Sequence, residues 1–357
     1  MNKRSIIDSV KAPVRNISAY TLREYEYDVK INQNENPNDV PVELKREILD
    51  FALERSWSRY PPFVPESLHA RLAEYAGWRA DGVLVGNGSN ELIQALIAVF
   101  IEPGGKLILP SPTFTVYRLV GTVFGADVVE VPLRDDLTFD CDALDEAFFD
   151  GGSMIIVCSP NNPTGSLYPP ERLERLLRKS DRPVVVDEAY FEFSRETAAG
   201  LLERYDNLVV LRTFSKAFSL AGLRVGYGLM RPEVAKEVGK AKLPYNLNFF
   251  TMAAAEKLLD NRGMLAATVD DIICEREMMI PAMNAIEGVR AYPSRANFIL
   301  FETPLDPKTV FEGLLADGLL IRDVSSYPML GRALRVSVST AEDNRRFLAS
   351  LKRVVAG

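Results

Sequence analysis

Short apolar runs rich in Val, Ile and Leu recur through the middle of the chain, separated by longer stretches whose apolar positions fall at helical spacing. Uninterrupted runs of strand length suit strands buried on both faces, the condition of a parallel sheet covered by its own crossover helices. The pattern predicts strands at Lys106–Leu109, Val128–Val131, Met154–Cys158, Val184–Asp187, Leu208–Leu211 and Val225–Leu229, with another opening at Val83. Strands alternating with helices in this way give an α/β architecture. Upstream, the arm to about Asn38 lacks a long periodic element, and a helical stretch near Pro41 to Glu54 leads into a proline-bounded segment around Tyr60. Downstream, a long helical pattern from about Met264 to Ala285 precedes two strand-like runs, Phe298–Phe301 and Leu334–Val338, flanked by helices. The expected division is an arm at 1–38 that joins a small domain, a large domain at 39–260 and the small C-terminal domain at 261–357. Glu102-Pro103-Gly104-Gly105 marks a turn rather than a linker, and no internal repeat or low-complexity stretch interrupts the pattern.

At 357 residues, 47% hydrophobic and 25% charged, the chain can build two soluble cores. A net charge of −7 argues against a general nucleic-acid or anionic-membrane surface, so any affinity for phosphate must come from local arginines. The one histidine, His69, excludes a histidine-based metal cage and leaves a serine–histidine triad with a single candidate; it is expected on an exposed helix. Cys141, Cys158 and Cys274 show no redox or zinc spacing and are expected reduced and buried, which suits the cytoplasm. No apolar run reaches the roughly 18 residues of a membrane span. The charged start Met1-Asn2-Lys3-Arg4-Ser5 is not followed by a signal-type core, so export is not expected.

The chemistry sits at the predicted strand ends. The β-branched run Val184-Val185-Val186 finishes in Asp187, with Tyr190 just beyond. About one βαβ unit later, roughly thirty residues, comes Thr213-Phe214-Ser215-Lys216-Ala217-Phe218, an apolar turn with two hydroxyls and one amine. Open α/β sheets build their sites at the carboxyl ends of neighbouring strands, so Asp187 and Lys216 can converge. A desolvated lysine supplies an amine that forms a Schiff base with an aldehyde. A buried carboxylate keeps a ring nitrogen protonated and makes that ring an electron sink. Tyr190 and Asn162 can donate to a phenolic oxygen. Val83 to Ile93 reads as strand, glycine turn and helix, placing Ser89 and Asn90 at an anion-binding helix start. Taken alone, Ser89 reads as an ordinary cap. A dinucleotide fingerprint is disfavoured because Glu91 occupies its third glycine position. Together these groups suit pyridoxal 5'-phosphate.

The order and spacing of several motifs identify a resemblance to the histidinol-phosphate aminotransferase family, within the class II subgroup of fold-type I pyridoxal-phosphate enzymes. They are Asn34-Glu35-Asn36-Pro37, Arg59-Tyr60-Pro61, Gly86-Asn87-Gly88-Ser89, Pro112-Thr113-Phe114, Asn161-Asn162-Pro163-Thr164-Gly165 and Asp187-Glu188-Ala189-Tyr190. Ser215-Lys216-Ala217-Phe218, Ala221-Gly222-Leu223-Arg224-Val225-Gly226, Ala296-Asn297-Phe298 and Leu334-Arg335-Val336-Ser337 complete the set, which spans nearly the whole chain. The resemblance implies a mostly parallel seven-stranded sheet between helices, plus a smaller α+β domain. It implies Lys216 as the lysine joined to the cofactor and the base that moves the substrate proton, Asp187 on the ring nitrogen, Tyr190 and Asn162 on the phenolic oxygen, and Phe114 stacked on the ring. Ser89, Asn90, Thr213, Ser215 and Arg224 would hold the cofactor phosphate, with Tyr60 reaching it from the partner subunit of a homodimer. Arg322 and Arg335 would bind a phosphorylated amino substrate, with Tyr20 and Asn36 at the entrance.

The implied reaction converts histidinol phosphate and 2-oxoglutarate into imidazole acetol phosphate and glutamate, a step of histidine biosynthesis, with ping-pong kinetics. Relatives act on aromatic amino acids or decarboxylate threonine phosphate, and both alternatives stay open. A binding module without catalysis would have lost the amine or the carboxylate, and both are present. Three departures from the family pattern stand out: Asn90 where many members are acidic, Pro62 after Tyr60-Pro61, and the less typical segment 324–331, which could reshape the substrate pocket.

Overall fold

A computed structural model describes residues 5–18 and 23–357. Its strands, in chain order, are β1 (Val29–Lys30), β2 (Val83–Asn87), β3 (Lys106–Ser111), β4 (Asp127–Pro132), β5 (Gly152–Cys158), β6 (Val184–Asp187) and β7 (Leu208–Thr213). There follow β8 (Val225–Leu229), β9 (Arg290–Ala291), β10 (Phe298–Glu302), β11 (Leu319–Leu320), β12 (Arg322–Asp323) and β13 (Ala333–Ser337). The predicted central runs join in one seven-stranded sheet, ordered β2-β8-β7-β6-β5-β3-β4. Only β8 runs against its neighbours; the pairings from β7 through β6, β5 and β3 to β4 are all parallel.

Side chains alternate across a strand, so a sheet covered on both sides needs apolar residues at every position. Val184 and Val186 of β6 accordingly join one core with Leu173 and Leu176 of helix Pro170–Lys179. Val185 enters the opposite core with Leu92, Ile93 and Leu96 of helix Ser89–Phe100. The second sheet, β12-β13-β10-β9, is antiparallel. Helices Arg262–Asn284 and Ala341–Ala356 pack on it through Ile272, Met279, Phe347 and Leu351.

The N-terminal arm ties the two sheets together. β1 pairs in parallel with β11, and the Ser337 amide donates to the Ile31 carbonyl at 2.9 Å. The chain then crosses to the carboxyl edge of the large sheet, with Asn34 in the left-handed region at φ 56°. At that edge β8 lies hard against the start of helix Ser89–Phe100. A Cβ added to Gly226 would stand 2.1 Å from the Ser89 nitrogen.

Two expectations are corrected. Cys141 and Cys158 are buried, but Cys274 is exposed. The buried residues of its helix are Val269, Ile272, Arg276, Met279 and Met283, and position 274 falls on the opposite face of that stripe. His69 lies on helix Glu66–Ala76 but is half-buried rather than exposed, and desolvation pulls its imidazole down to about 4. Among the described residues no helix is long and apolar enough to cross a membrane. Gly226→Ala is expected to destabilise the fold by about 1–3 kcal/mol, the usual range for forced overpacking. The measurement is thermal unfolding; an unchanged melting temperature would contradict this packing.

Candidate active site

The carboxyl ends of β5, β6 and β7, the start of helix Ser89–Phe100, the arm and β13 enclose a cavity of about 370 Å³. Asp187 ends β6 and is 3% exposed. Its Oδ2 accepts from the Tyr117 hydroxyl at 2.6 Å and its Oδ1 from the Ala189 amide at 3.1 Å. Burial pushes this carboxyl up to about 6, and the Tyr117 and Ala189 donors limit the rise. Lys216 follows β7, and its Nζ donates to the Gln33 carbonyl at 2.8 Å. Burial first, then the nearby Arg335 charge, lowers this amine to about 7. A carboxylate and an amine therefore face one cavity, with protonation states set by desolvation.

The end of the cavity beside the helix is built for an anion. Gly88, at φ 72°, precedes the first helical turn, and no side chain caps the amides that begin at Ser89. Those amides lack intrahelical partners and sit at the positive end of the helix dipole. Arg224 donates through Nη1 to the Ser215 hydroxyl and the Ala221 carbonyl, both at 3.0 Å. Its Nη2 would lie 2.5 Å from a Cβ at position 88, so a glycine there lets the guanidinium reach the helix start. Thr213 accepts from the Ser215 amide at 3.1 Å, which orients the turn carrying Lys216.

Opposite this end, the arm and the small sheet contribute polar groups. Asn34 donates from Nδ2 to the Tyr190 hydroxyl at 3.0 Å and exchanges bonds with Ser337, while Asn297 donates to its carbonyl. Burial holds the Tyr190 phenol well above its ordinary value, so it stays protonated. Arg335 lies over the Phe298 ring and donates to Asn162 Oδ1 and the Asn32 carbonyl. Arg322 stands directly across from it in the β12–β13 register and makes no hydrogen bond or ion pair among the described residues.

Twelve of the sequence candidates line this one cavity: Ser89, Asn90, Phe114, Asn162, Asp187, Tyr190, Thr213, Ser215, Lys216, Arg224, Arg322 and Arg335. Asn36 lies beside it, donating to the Ala217 carbonyl at 2.8 Å and lining a neighbouring cavity. Tyr60 is 80% exposed and stacks on Tyr245 at 4.4 Å, away from the cavity of its own chain. Tyr20 lies outside the described residues. Asn32, Gln33, Asn34, Tyr117, Cys158 and Tyr327 also line the cavity and were not singled out from the sequence as site residues. Tyr117 carried a usable signal, since it follows Phe114 by one helical turn. Nothing local marks Gln33, whose contact with Lys216 is through its backbone carbonyl.

These groups fit pyridoxal 5'-phosphate: an open helix start with an arginine for its phosphate, a buried carboxylate for its ring nitrogen, and a desolvated amine for its aldehyde. Residues 27–351 match the family Aminotransferase class I and II. The chain is similar to the histidinol-phosphate aminotransferase of Chlorobaculum tepidum, at 38% identity over 92% of this chain and 95% of that protein. It is 36% identical to that of Thermoanaerobacter pseudethanolicus, over 97% of this chain and 98% of that one. The fold matches the crystal structure of histidinol-phosphate aminotransferase from Sinorhizobium meliloti in complex with pyridoxal-5'-phosphate, with a TM-score of 0.86, 24% identity and 98% of each chain covered.

The lowered Lys216 amine predicts how the cofactor-free protein attaches pyridoxal phosphate. The rate of attachment, followed by absorbance, should rise with pH through about 7 as the amine loses its proton. A midpoint near the ordinary lysine value of about 10.4 would contradict the burial.

Proposed function

We propose that this chain, which belongs to the class I and II aminotransferase family, moves the amino group of histidinol phosphate to 2-oxoglutarate, giving imidazole acetol phosphate and glutamate. The family works with pyridoxal 5'-phosphate, which supplies the aldehyde that takes up the amino group and the ring that draws electrons from the substrate carbon. The observation that carries the substrate assignment is the pair Arg322 and Arg335, facing each other across β12 and β13 at the same cavity as Lys216. Two guanidiniums suit a phosphate through planar bidentate bonds. Arg335 is already oriented by Asn162 and Asn32, and Arg322 makes no hydrogen bond or ion pair among the described residues.

In this reading Lys216 holds the cofactor and then moves the substrate proton, which needs its neutral form. Asp187 balances the charge on the ring nitrogen, and Tyr190 with Asn162 keeps the phenolic oxygen in place. Phe114 covers the ring. Ser89, Asn90, Thr213, Ser215 and Arg224 bind the cofactor phosphate. Asn36 helps to shape the entrance, and Tyr20 is assigned there from the sequence alone.

The protein is further read as a cytoplasmic homodimer in which Tyr60 completes the partner subunit's phosphate site. Exposure of Tyr60, Trp57, Phe63 and Leu243, at 80, 73, 67 and 76%, supports a covered surface there. The division into an arm, a large domain at 39–260 and a small domain at 261–357 is part of the same proposal, supported by the seven-stranded sheet lying within the one span, the four-stranded sheet within the other, and β1 of the arm pairing with β11.

A substrate panel tests the assignment: histidinol phosphate, threonine phosphate, tyrosine and phenylalanine, each with 2-oxoglutarate and with carbon dioxide release monitored. Transamination of histidinol phosphate should dominate; preference for an unphosphorylated aromatic donor, or keto-acid-independent decarboxylation, would overturn it. Arg322→Ala should raise KM for histidinol phosphate roughly 10- to 150-fold, the loss of a charged hydrogen-bonded contact. Its effect on an unphosphorylated donor should be small. Sedimentation should give twice the 39.8 kDa chain mass; a monomer would contradict the shared site.

A further inference from the structure

Tyr117 has no part in the roles assigned above, yet it touches the group on which they depend. It lies on helix Val116–Phe124, three residues after Phe114, and the two rings meet edge to face at 5.5 Å and 84°. The helix start thus presents Phe114 to the cavity and sends Tyr117 toward the end of β6. Tyr117 is 0% exposed, and its hydroxyl reaches Asp187 Oδ2 at 2.6 Å. The other carboxylate oxygen is taken by the Ala189 amide, so donors from two separate elements fix the plane of the carboxylate.

We infer that Tyr117 is a positioning residue that acts through Asp187, aiming the carboxylate and keeping it ionised where the cofactor's ring nitrogen needs a counter-charge. A phenylalanine would fill the same core volume, so packing alone does not require the hydroxyl. The surroundings of Asp187 otherwise oppose its charge. Cys158 lies opposite it in the β5–β6 register, with its thiol donating to the Pro160 carbonyl. Glu188, next in the chain, adds like charge, although Arg212 and Thr197 hold it. Tyr190 is a neutral phenol, and the cation Lys216, whose charge favours ionised Asp187, has that charge weakened by its own burial. Burial is the largest influence raising the carboxyl, and the Tyr117 hydrogen bond is the largest one lowering it. Without that donor, Asp187 would take up a proton at higher pH.

The inference rests on the proposal that Asp187 faces the ring nitrogen, and the experiment separates the two. Pyridoxamine 5'-phosphate is the probe, because it carries the ring nitrogen and the phosphate but no aldehyde for Lys216. Its dissociation constant is measured from pH 5 to 9 for cofactor-free wild type, Tyr117→Phe and Asp187→Asn. Wild-type affinity should fall as pH drops through about 6, where Asp187 becomes protonated. In Tyr117→Phe the midpoint should move up by about one pH unit, so that the variant binds about fivefold more weakly at pH 6 and converges with wild type near pH 9. An unchanged midpoint, or a uniform loss at every pH, would overturn the role of Tyr117. If Asp187→Asn keeps the wild-type profile, the assignment of Asp187 itself fails. Should Tyr117→Phe not fold, 3-fluorotyrosine at 117, a stronger donor of nearly the same size, should lower the midpoint, and no shift would count against the inference.

Discussion

Desolvation of one carboxyl and one amine at the edge of the sheet is the constraint around which the rest of the site is arranged. Neither group is stable as a lone buried charge, and each drifts toward its neutral form. Asp187 is pushed up to about 6 and Lys216 down to about 7. About one pH unit above neutrality the two therefore rest in different states: Asp187 is ionised and Lys216 is largely neutral. Transamination requires that combination, an anion for the ring and a free base for the proton. The residues nearest them hold this balance, with Tyr117 and Ala189 donating to the carboxylate and Gln33 accepting from the amine.

The large sheet provides directions and the small one provides closure. The parallel order places Cys158, Asp187 and Thr213 at strand ends on one edge, and β2, through the antiparallel β8, brings the start of helix Ser89–Phe100 to the same edge. The arm then covers the cavity by way of Asn34, which bonds to Tyr190 beyond the end of β6 and to Ser337 and Asn297 beside the four-stranded sheet. Asn34 is 1% exposed and held at a left-handed φ, so Tyr190, the arm and the four-stranded sheet are linked through the side chain and backbone of one residue.

Much of the fold was legible because a parallel sheet covered on both faces leaves a strong mark. Runs such as Val184-Val185-Val186 have no polar position to mistake for a surface. The two-residue strands β1 and β11 were not legible, since their pairing is defined by partners far apart in sequence. At the site, motif and spacing were enough to single out residues with distinctive chemistry, such as Asp187, Lys216 and Arg224, which the structure brings to one cavity. Gln33 and Asn32 could not be singled out in this way, because they act through backbone carbonyls that carry no side-chain signature. Tyr117 was only half legible: its spacing from Phe114 is a signal, but an aromatic on the buried face of a helix looks like core until its hydroxyl is seen to have a charged partner. Cys274 shows the converse, a residue whose type suggests burial while its helical phase places it outside.

The central claim is a covalent one, that the cofactor is carried by the desolvated amine at the end of β7. Borohydride reduction of the cofactor-loaded protein, followed by proteolysis and mass mapping, tests it most directly. The account predicts a single phosphopyridoxyl label on Lys216. A label on any other lysine, or none, would contradict it.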